Sequence, residues 1–228
     1  MKIRADFKQE EIVRPGDVDW VPSPQAGVDR IMLDRIGEEV ARATSFVRFA
    51  PESYFPHHEH GGGEEVFVLD GVFEDEYGRY PAGTYMRDPT GSSHSPFTKE
   101  GCTLYVKLWQ FLPGDEKRVT TNTELGPWQT TDVPGLTIQP LHRFDSEQTR
   151  LLRLAPGNRL EHEVDAGGEE VLVLSGSFQD EQGTYPQGSW LRHPGSGQSG
   201  SKHSWVSDAG CTLLVKSGHV PHARAPKI

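Results

Sequence analysis

Four side chains in the first half of the chain have the types and spacing to hold a metal ion together: His58, His60, Glu64 and His94. In an extended strand residues i and i+2 share a face, so His58 and His60 project together while His57 and Glu59 point away. After the Gly61-Gly62-Gly63 turn, Glu64 opens the next strand on the face of Val66 and Val68, and Glu65 is expected to point outward. His94 follows within Gly91-Ser92-Ser93-His94-Ser95-Pro96, where a further strand can return past the first. Three neutral imidazole nitrogens and one carboxylate oxygen suit Zn, Fe(II), Mn, Ni or Cu, and four ligands leave positions open on a metal that prefers five or six. A merely polar, solvated loop would account for His57 to His60 but not for Glu64 and His94. No separate nucleophile or acid/base pair stands out as catalytic.

The elements that must position these residues occur twice. Gly-Glu-Glu-Val-Phe-Val-Leu-Asp-Gly at 63–71 recurs as Gly-Glu-Glu-Val-Leu-Val-Leu-Ser-Gly at 168–176. Phe73-Glu74-Asp75-Glu76 answers to Phe178-Gln179-Asp180-Glu181, Tyr80-Pro81-Ala82-Gly83 to Tyr185-Pro186-Gln187-Gly188, and Gly101-Cys102-Thr103-Leu104 to Gly210-Cys211-Thr212-Leu213. The second copy carries a longer Gly/Ser-rich loop between Pro194 and Lys202. A repeat of this length points to two units, 1–115 with the metal site and 116–228 with a degenerate one, joined by the polar stretch Pro113 to Thr123.

Short β-branched and aromatic runs separated by Gly, Pro, Asp and Ser predict an all-β sandwich or barrel in each unit. Asp70-Gly71 and Ser175-Gly176 lie between apolar runs, as hairpin turns do. The one weak helix candidate is Asp34 to Ala43, weakened by Gly37 and Val40. Tyr54, Tyr85 and Phe97 have the parity or position to line the first cavity, although core packing is the commoner role of such aromatics.

Composition narrows the partners. The 228 residues are 34% hydrophobic, and no apolar run approaches the ~20 residues of a membrane helix. The N-terminus lacks the apolar stretch of a secretory signal, so a cytoplasmic location is expected. With 23 Lys+Arg against 33 Asp+Glu, a net charge of −10 and no basic cluster, nucleic acid is not an expected partner. Cys102 and Cys211 occupy matched positions in the two copies and read as small apolar residues rather than a disulfide. A small-molecule or protein partner and homodimer formation stay open.

The spacing His58-x-His60-x3-Glu64-x6-Gly71 resembles the first cupin motif, and Pro81-x-Gly83 followed by His94 resembles a stretched second one. The wider wording, with Gly-Gly-Glu-Glu-Val, Phe-Glu-Asp-Glu and Gly-Ser-Ser-His-Ser-Pro, is similar to the ChrR-like cupins across both repeats. That family takes its name from the zinc-binding C-terminal domain of an anti-sigma factor and includes small iron-dependent dioxygenases. The resemblance implies two tandem jelly-roll (double-stranded β-helix) barrels and one divalent transition metal per chain. Zinc is the first expectation, with Fe, Mn or Ni as alternatives. It also implies a metal-binding regulatory or sensor-like protein or, as the second reading, an Fe(II)-dependent dioxygenase acting on a small carbonyl or phenolic substrate.

Two departures qualify the likeness. No helical sigma-binding domain precedes Trp20, so that role is not carried over. In the second repeat His58, His60 and Glu64 are answered by Glu163, Asp165 and Glu169, with His203 in the place of His94 and His162 out of phase, facing away. Three carboxylates so close would raise the pKa of at least one, and a weakly bound hard cation or no ion is expected there.

Overall fold

The computed structural model describes residues 1–195 and 202–226. Among them the regular structure is strand throughout, apart from a single 3-10 turn at Val220–His222. It forms two jelly-roll units, and the longer Gly/Ser-rich loop expected in the second copy falls largely outside the described residues. None of the described helical segments is long and apolar enough to cross a membrane.

In the first unit the main sheet runs, in spatial order, Lys2–Ile3, Val28–Gly37, Ala41–Phe49, Cys102–Leu108, Glu64–Asp75, Thr84–Asp88 and Val119–Asn122. A smaller face is built from Ser53–Tyr54, Phe97–Thr98, Gly78–Pro81 and the far half of the Glu64–Asp75 strand, with His58–Glu59 paired to Ser93–His94 beside it. Val28, Phe49, Val66, Val68, Phe73, Leu104 and Val106 alternate inward along these strands and form the buried core.

Asp70-Gly71 is not a hairpin turn. The Glu64–Asp75 strand continues through it, and its ladder with Cys102–Leu108 slips by one residue between Thr103 and Leu104. Gly71 has φ +71°, and a Cβ there would lie 2.1 Å from the Gly101 carbonyl oxygen. A bulge beside a left-handed glycine bends one long strand from the large face to the small one, which is how a barrel corner is made. Gly176 repeats the device, with φ +70° and a Cβ 2.0 Å from the Gly210 oxygen.

The helix candidate at 34–43 is a β-hairpin, Val28–Gly37 turning into Ala41–Phe49. Gly37 has φ +127°, outside helical space, and the strand it leads into is buried on both faces from Ala41 to Phe46, so tertiary packing outweighs local propensity.

The second unit repeats the order: Gln129–Thr130, Leu136–Phe144, Glu147–Leu154, Cys211–Ser217, Glu169–Asp180, Trp190–His193 and Glu11–Val13. Its last strand comes from the N-terminus, because residues Asp6–Val18 group with Pro127–Ala223. The equivalent edge of the first unit is filled by Val119–Asn122, part of the stretch expected to be a linker. Contacts group Met1–Ala5 and Asp19–Gly126 in the first unit and Asp6–Val18 with Pro127–Ala223 in the second.

Each edge segment is tied down by a buried arginine. Arg87, fully buried, reaches Asp115 at 2.5 Å and Glu65 at 3.2 Å and lies over the Phe111 ring. Arg192 sits over Phe7 and 4.0 Å from Glu11. Glu65 thus faces away from the barrel interior as expected but is buried, also accepting a hydrogen bond from Tyr85 at 2.9 Å.

Candidate metal centre

Glu64 is the first residue of the long central strand, and His58 and His94 are direct cross-strand partners on a short ribbon facing it. His60 is tied to the same ribbon by its backbone, donating to Ser92 O at 2.8 Å, while Gly91 N donates back to His60 O at 3.0 Å. The Gly61-Gly62-Gly63 turn is needed because Trp109 packs on it. A Cβ at Gly62 would lie 2.4 Å from the Trp109 ring.

The four residues picked out by type and spacing converge. Each offers one ligand atom, and these atoms all lie within 4.8 Å of one another. The imidazole centroids form a near-equilateral triangle, with His58–His60 at 5.1 Å, His58–His94 at 5.0 Å and His60–His94 at 4.7 Å. Glu64 Oε2 stands 3.5 Å from both His60 Nε2 and His94 Nε2.

Each ring is held by its other nitrogen. His58 Nδ1 contacts Pro56 O at 2.9 Å, His60 Nδ1 the Ser92 hydroxyl at 3.0 Å, and His94 Nδ1 the Asp75 carboxylate at 3.2 Å. This is the arrangement by which outer partners fix the tautomer and ring angle of metal-bound histidines. Buried His60 Nε2 has no hydrogen-bond partner, although a buried polar atom normally finds one. The atoms facing the centre are nitrogen lone pairs and carboxylate oxygen, so a divalent transition metal fits this set.

Electrostatics agree with that fit. Burial, reinforced by the neighbouring His94, pulls the His60 pKa down to about 4, and burial also lowers His58, so both are neutral and ready to ligate at neutral pH. Burial pushes the Glu64 carboxyl up against the opposing pull of His94 and His58. His94 differs: burial would lower it, but the Asp75 hydrogen bond and the Glu64 charge outweigh burial and raise it. Asp75 is itself held low, burial being outweighed by hydrogen bonds from His94, Tyr77 N and Tyr80.

The centre lies on the wall of a cavity of about 370 Å³ within the first unit. Val28, Phe49, Phe55, Val66, Phe73 and Leu104 line its apolar part. Tyr54, Tyr85 and Phe97, which had the parity or position to line it with core packing as the commoner role, do not reach it: Tyr54 is 60% exposed, Tyr85 is buried and turns to Glu65 on the opposite sheet face, and Phe97 pairs with Tyr54 on the smaller face. Asp75 and Phe73 were visible in the duplicated Phe-x-Asp-Glu wording without a role attached. Phe55 and Trp109 carried no signal, because loop residues are placed by the fold rather than by periodicity.

The second unit departs from its expected cluster. Glu163 is exposed, its nearest cation being Lys202 at 4.0 Å, and Asp165 accepts from Gly167 N at 2.7 Å to close a turn. His162, expected to face away, is buried, stacked on Trp205 at 3.9 Å and 2.5 Å from Glu169. Its cross-strand partner is His203, so His162 takes the place of His58, and buried Val164 that of His60. The copies are out of register by one residue there. Leu160 and Val164 share the parity of His162, and that alternation was the readable clue. Ligand atoms of Glu10, His193 and His203 lie within 4.8 Å of one another, as do those of Asp180, Glu181 and His203, while among the described residues Glu163 and Asp165 join no such cluster. Cys102 and Cys211 are free and buried, and burial raises the Cys102 thiol to about 12.

Fold and centre together define a two-barrel cupin with a histidine-rich pocket. The family model of the ChrR cupin-like domain matches residues 8–112 and again 116–221, and the chain belongs to that family. No curated protein matches the chain. Among solved structures, a candidate dioxygenase from Nostoc punctiforme is similar at a TM-score of 0.76 and 16% identity, covering 96% of this chain and 88% of that one. The bacterial pirin YhhW from Escherichia coli, in complex with nickel(II), matches at 0.67 and 13%, covering 91% and 98%. Salicylate 1,2-dioxygenase from Pseudoaminobacter salicylatoxidans with a gentisate adduct matches at 0.61 and 12%, covering 78% and 68%. At these identities the likeness shows the fold.

Proposed function

We propose that His58, His60, Glu64 and His94 bind one divalent transition metal and that the first unit is a metal-dependent enzyme, most simply a dioxygenase, acting on a small organic substrate. The observation that carries this reading is the apolar cavity against the centre. A purely structural or sensing zinc is served by a closed tetrahedral shell and needs no space beside it. In the second unit buried Trp205 stands where the first has Pro96, which lines the cavity. An occupant is the economical reason for keeping the space.

A bound redox-active metal supplies Lewis-acid polarisation of a substrate oxygen and electron exchange with dioxygen. The chain's own residues do the rest. Phe49, Phe55, Phe73 and Leu104 hold an apolar body and exclude water. Asp75 keeps His94 oriented, and Glu64 either ligates or swings aside to admit substrate.

The test is elemental analysis of protein purified without added metal, then oxygen uptake by Fe(II)-loaded protein with a panel of diketones and dihydroxyphenyl ketones. Substrate-dependent uptake lost in His60→Ala supports the enzyme. Zinc at one per chain with no uptake by the iron form favours the regulatory reading, which the family match to the ChrR cupin-like domain supports.

A further inference from the structure

We infer that the cavity of the first unit takes a small monocarboxylate, its carboxylate held by Arg30 and Arg35 and its apolar body directed toward the histidine centre. The arginine end stands on its own observations; the metal end rests on the proposed function above.

Arg30 and Arg35 both line the cavity. Their separation of five positions would send them to opposite faces of a regular strand. They share a face because the ladder with Ala41–Phe49 slips between Met32 and Asp34, leaving Leu33 as the extra residue of a bulge. Bulges re-aim side chains in this way beside functional sites.

Arg30 is half-buried, and its Nε is buried without a hydrogen-bond partner. Among the described residues it makes no ion pair. Arg35, 5% exposed, donates to the carbonyl oxygens of Glu38 and Glu39 and, among the described residues, has no carboxylate within ion-pair distance. Burial first, and then the charge of Arg30, lower its pKa, against the weaker opposing pull of Glu39 and Glu38. Two neighbouring guanidinium groups in a partly desolvated wall repel each other, and an unmatched buried donor is costly. A planar anion answers both, since the guanidinium fork matches a carboxylate.

The sheet also sets the size of the ligand. Arg35, Ala43, Leu108 and Glu64 are successive cross-strand partners. Three strand spacings put the backbones of Arg35 and Glu64 about 14 Å apart. The long arginine side chain covers part of that span, leaving room for one ring or a short chain against Leu104 and Val106 on an intervening strand and Val66 on the strand of Glu64.

The test is calorimetric titration of the full chain, nickel-loaded and EDTA-stripped, with benzoate and butanoate against neutral benzamide and butanamide. The acids are expected to bind at least tenfold tighter than the amides in both forms. Arg30→Gln should remove that preference while keeping nickel stoichiometry and amide binding, and Arg30→Lys should recover part of it. Equal binding of acid and amide by the wild type, no binding of the acids at millimolar concentration, or full acid affinity in Arg30→Gln overturns the proposal. Failure to load nickel, with the acid preference intact in the stripped protein, sinks the metal reading alone and supports the arginine site.

Discussion

At the residue scale the centre is a set of lone pairs aimed inward by hydrogen bonds from behind. Asp75 matters most among the outer groups, because its carboxylate gathers Tyr77 N, Gly78 N and the Tyr80 hydroxyl while facing His94 Nδ1. Asp75→Asn should weaken metal binding roughly tenfold to a hundredfold without changing stoichiometry at saturation, as read by competition with a chromophoric chelator; unchanged affinity would show that the ring is oriented by packing alone. The four candidate ligands were legible because strand parity and a glycine turn fix the directions of His58, His60 and Glu64 locally. Asp75 was not, because its role depends on a hairpin bringing Tyr80 and His94 to it from different elements. In the second unit the same parity argument was applied one residue out of phase, and His162 beside Leu160 and Val164 is where the error shows.

At the element scale the sequence carried strand content and repeat but not the corners. Asp70-Gly71 has the composition of a hairpin turn, and only the close approach of the Gly101 backbone reveals that the strand bends there and continues. Gly71→Ala and Gly176→Ala should each destabilise their unit by more than about 1 kcal/mol, measured by urea unfolding. A neutral effect at either would mean the corner tolerates a Cβ and is not set by glycine. The weak helix candidate at 34–43 failed for a related reason: pairing in the Val28–Gly37 and Ala41–Phe49 hairpin, with the second strand buried on both faces from Ala41 to Phe46, decides the conformation. The Leu33 bulge is likewise invisible in composition, although it decides which way Arg35 points.

At the scale of the whole molecule, one duplicated barrel has diverged in two directions. The first copy keeps a lined space beside its histidines; the second fills its interior with Trp205, Phe178 and Tyr185 and has lost the His60 equivalent to Val164. Two units were readable from the repeat, but the exchange of edge strands was not, since Glu11–Val13 and Val119–Asn122 are short and pattern-poor. Metal binding should therefore act on one unit. At free metal about a hundred times Kd, linkage stabilises the binding unit by about 2.7 kcal/mol, and amide exchange should slow by about a hundredfold in strands such as Glu64–Asp75 while Glu169–Asp180 is unchanged. Equal slowing in both units would contradict the assignment, as would loss of the single metal in His203→Ala. The most direct measurement is anomalous diffraction from metal-loaded crystals at the absorption edge of the bound element. The predicted result is one peak roughly 2.0–2.2 Å from a nitrogen of each of His58, His60 and His94 and from Glu64. Loaded crystals with no peak among those four side chains, or with a peak only in the second unit, would contradict the account.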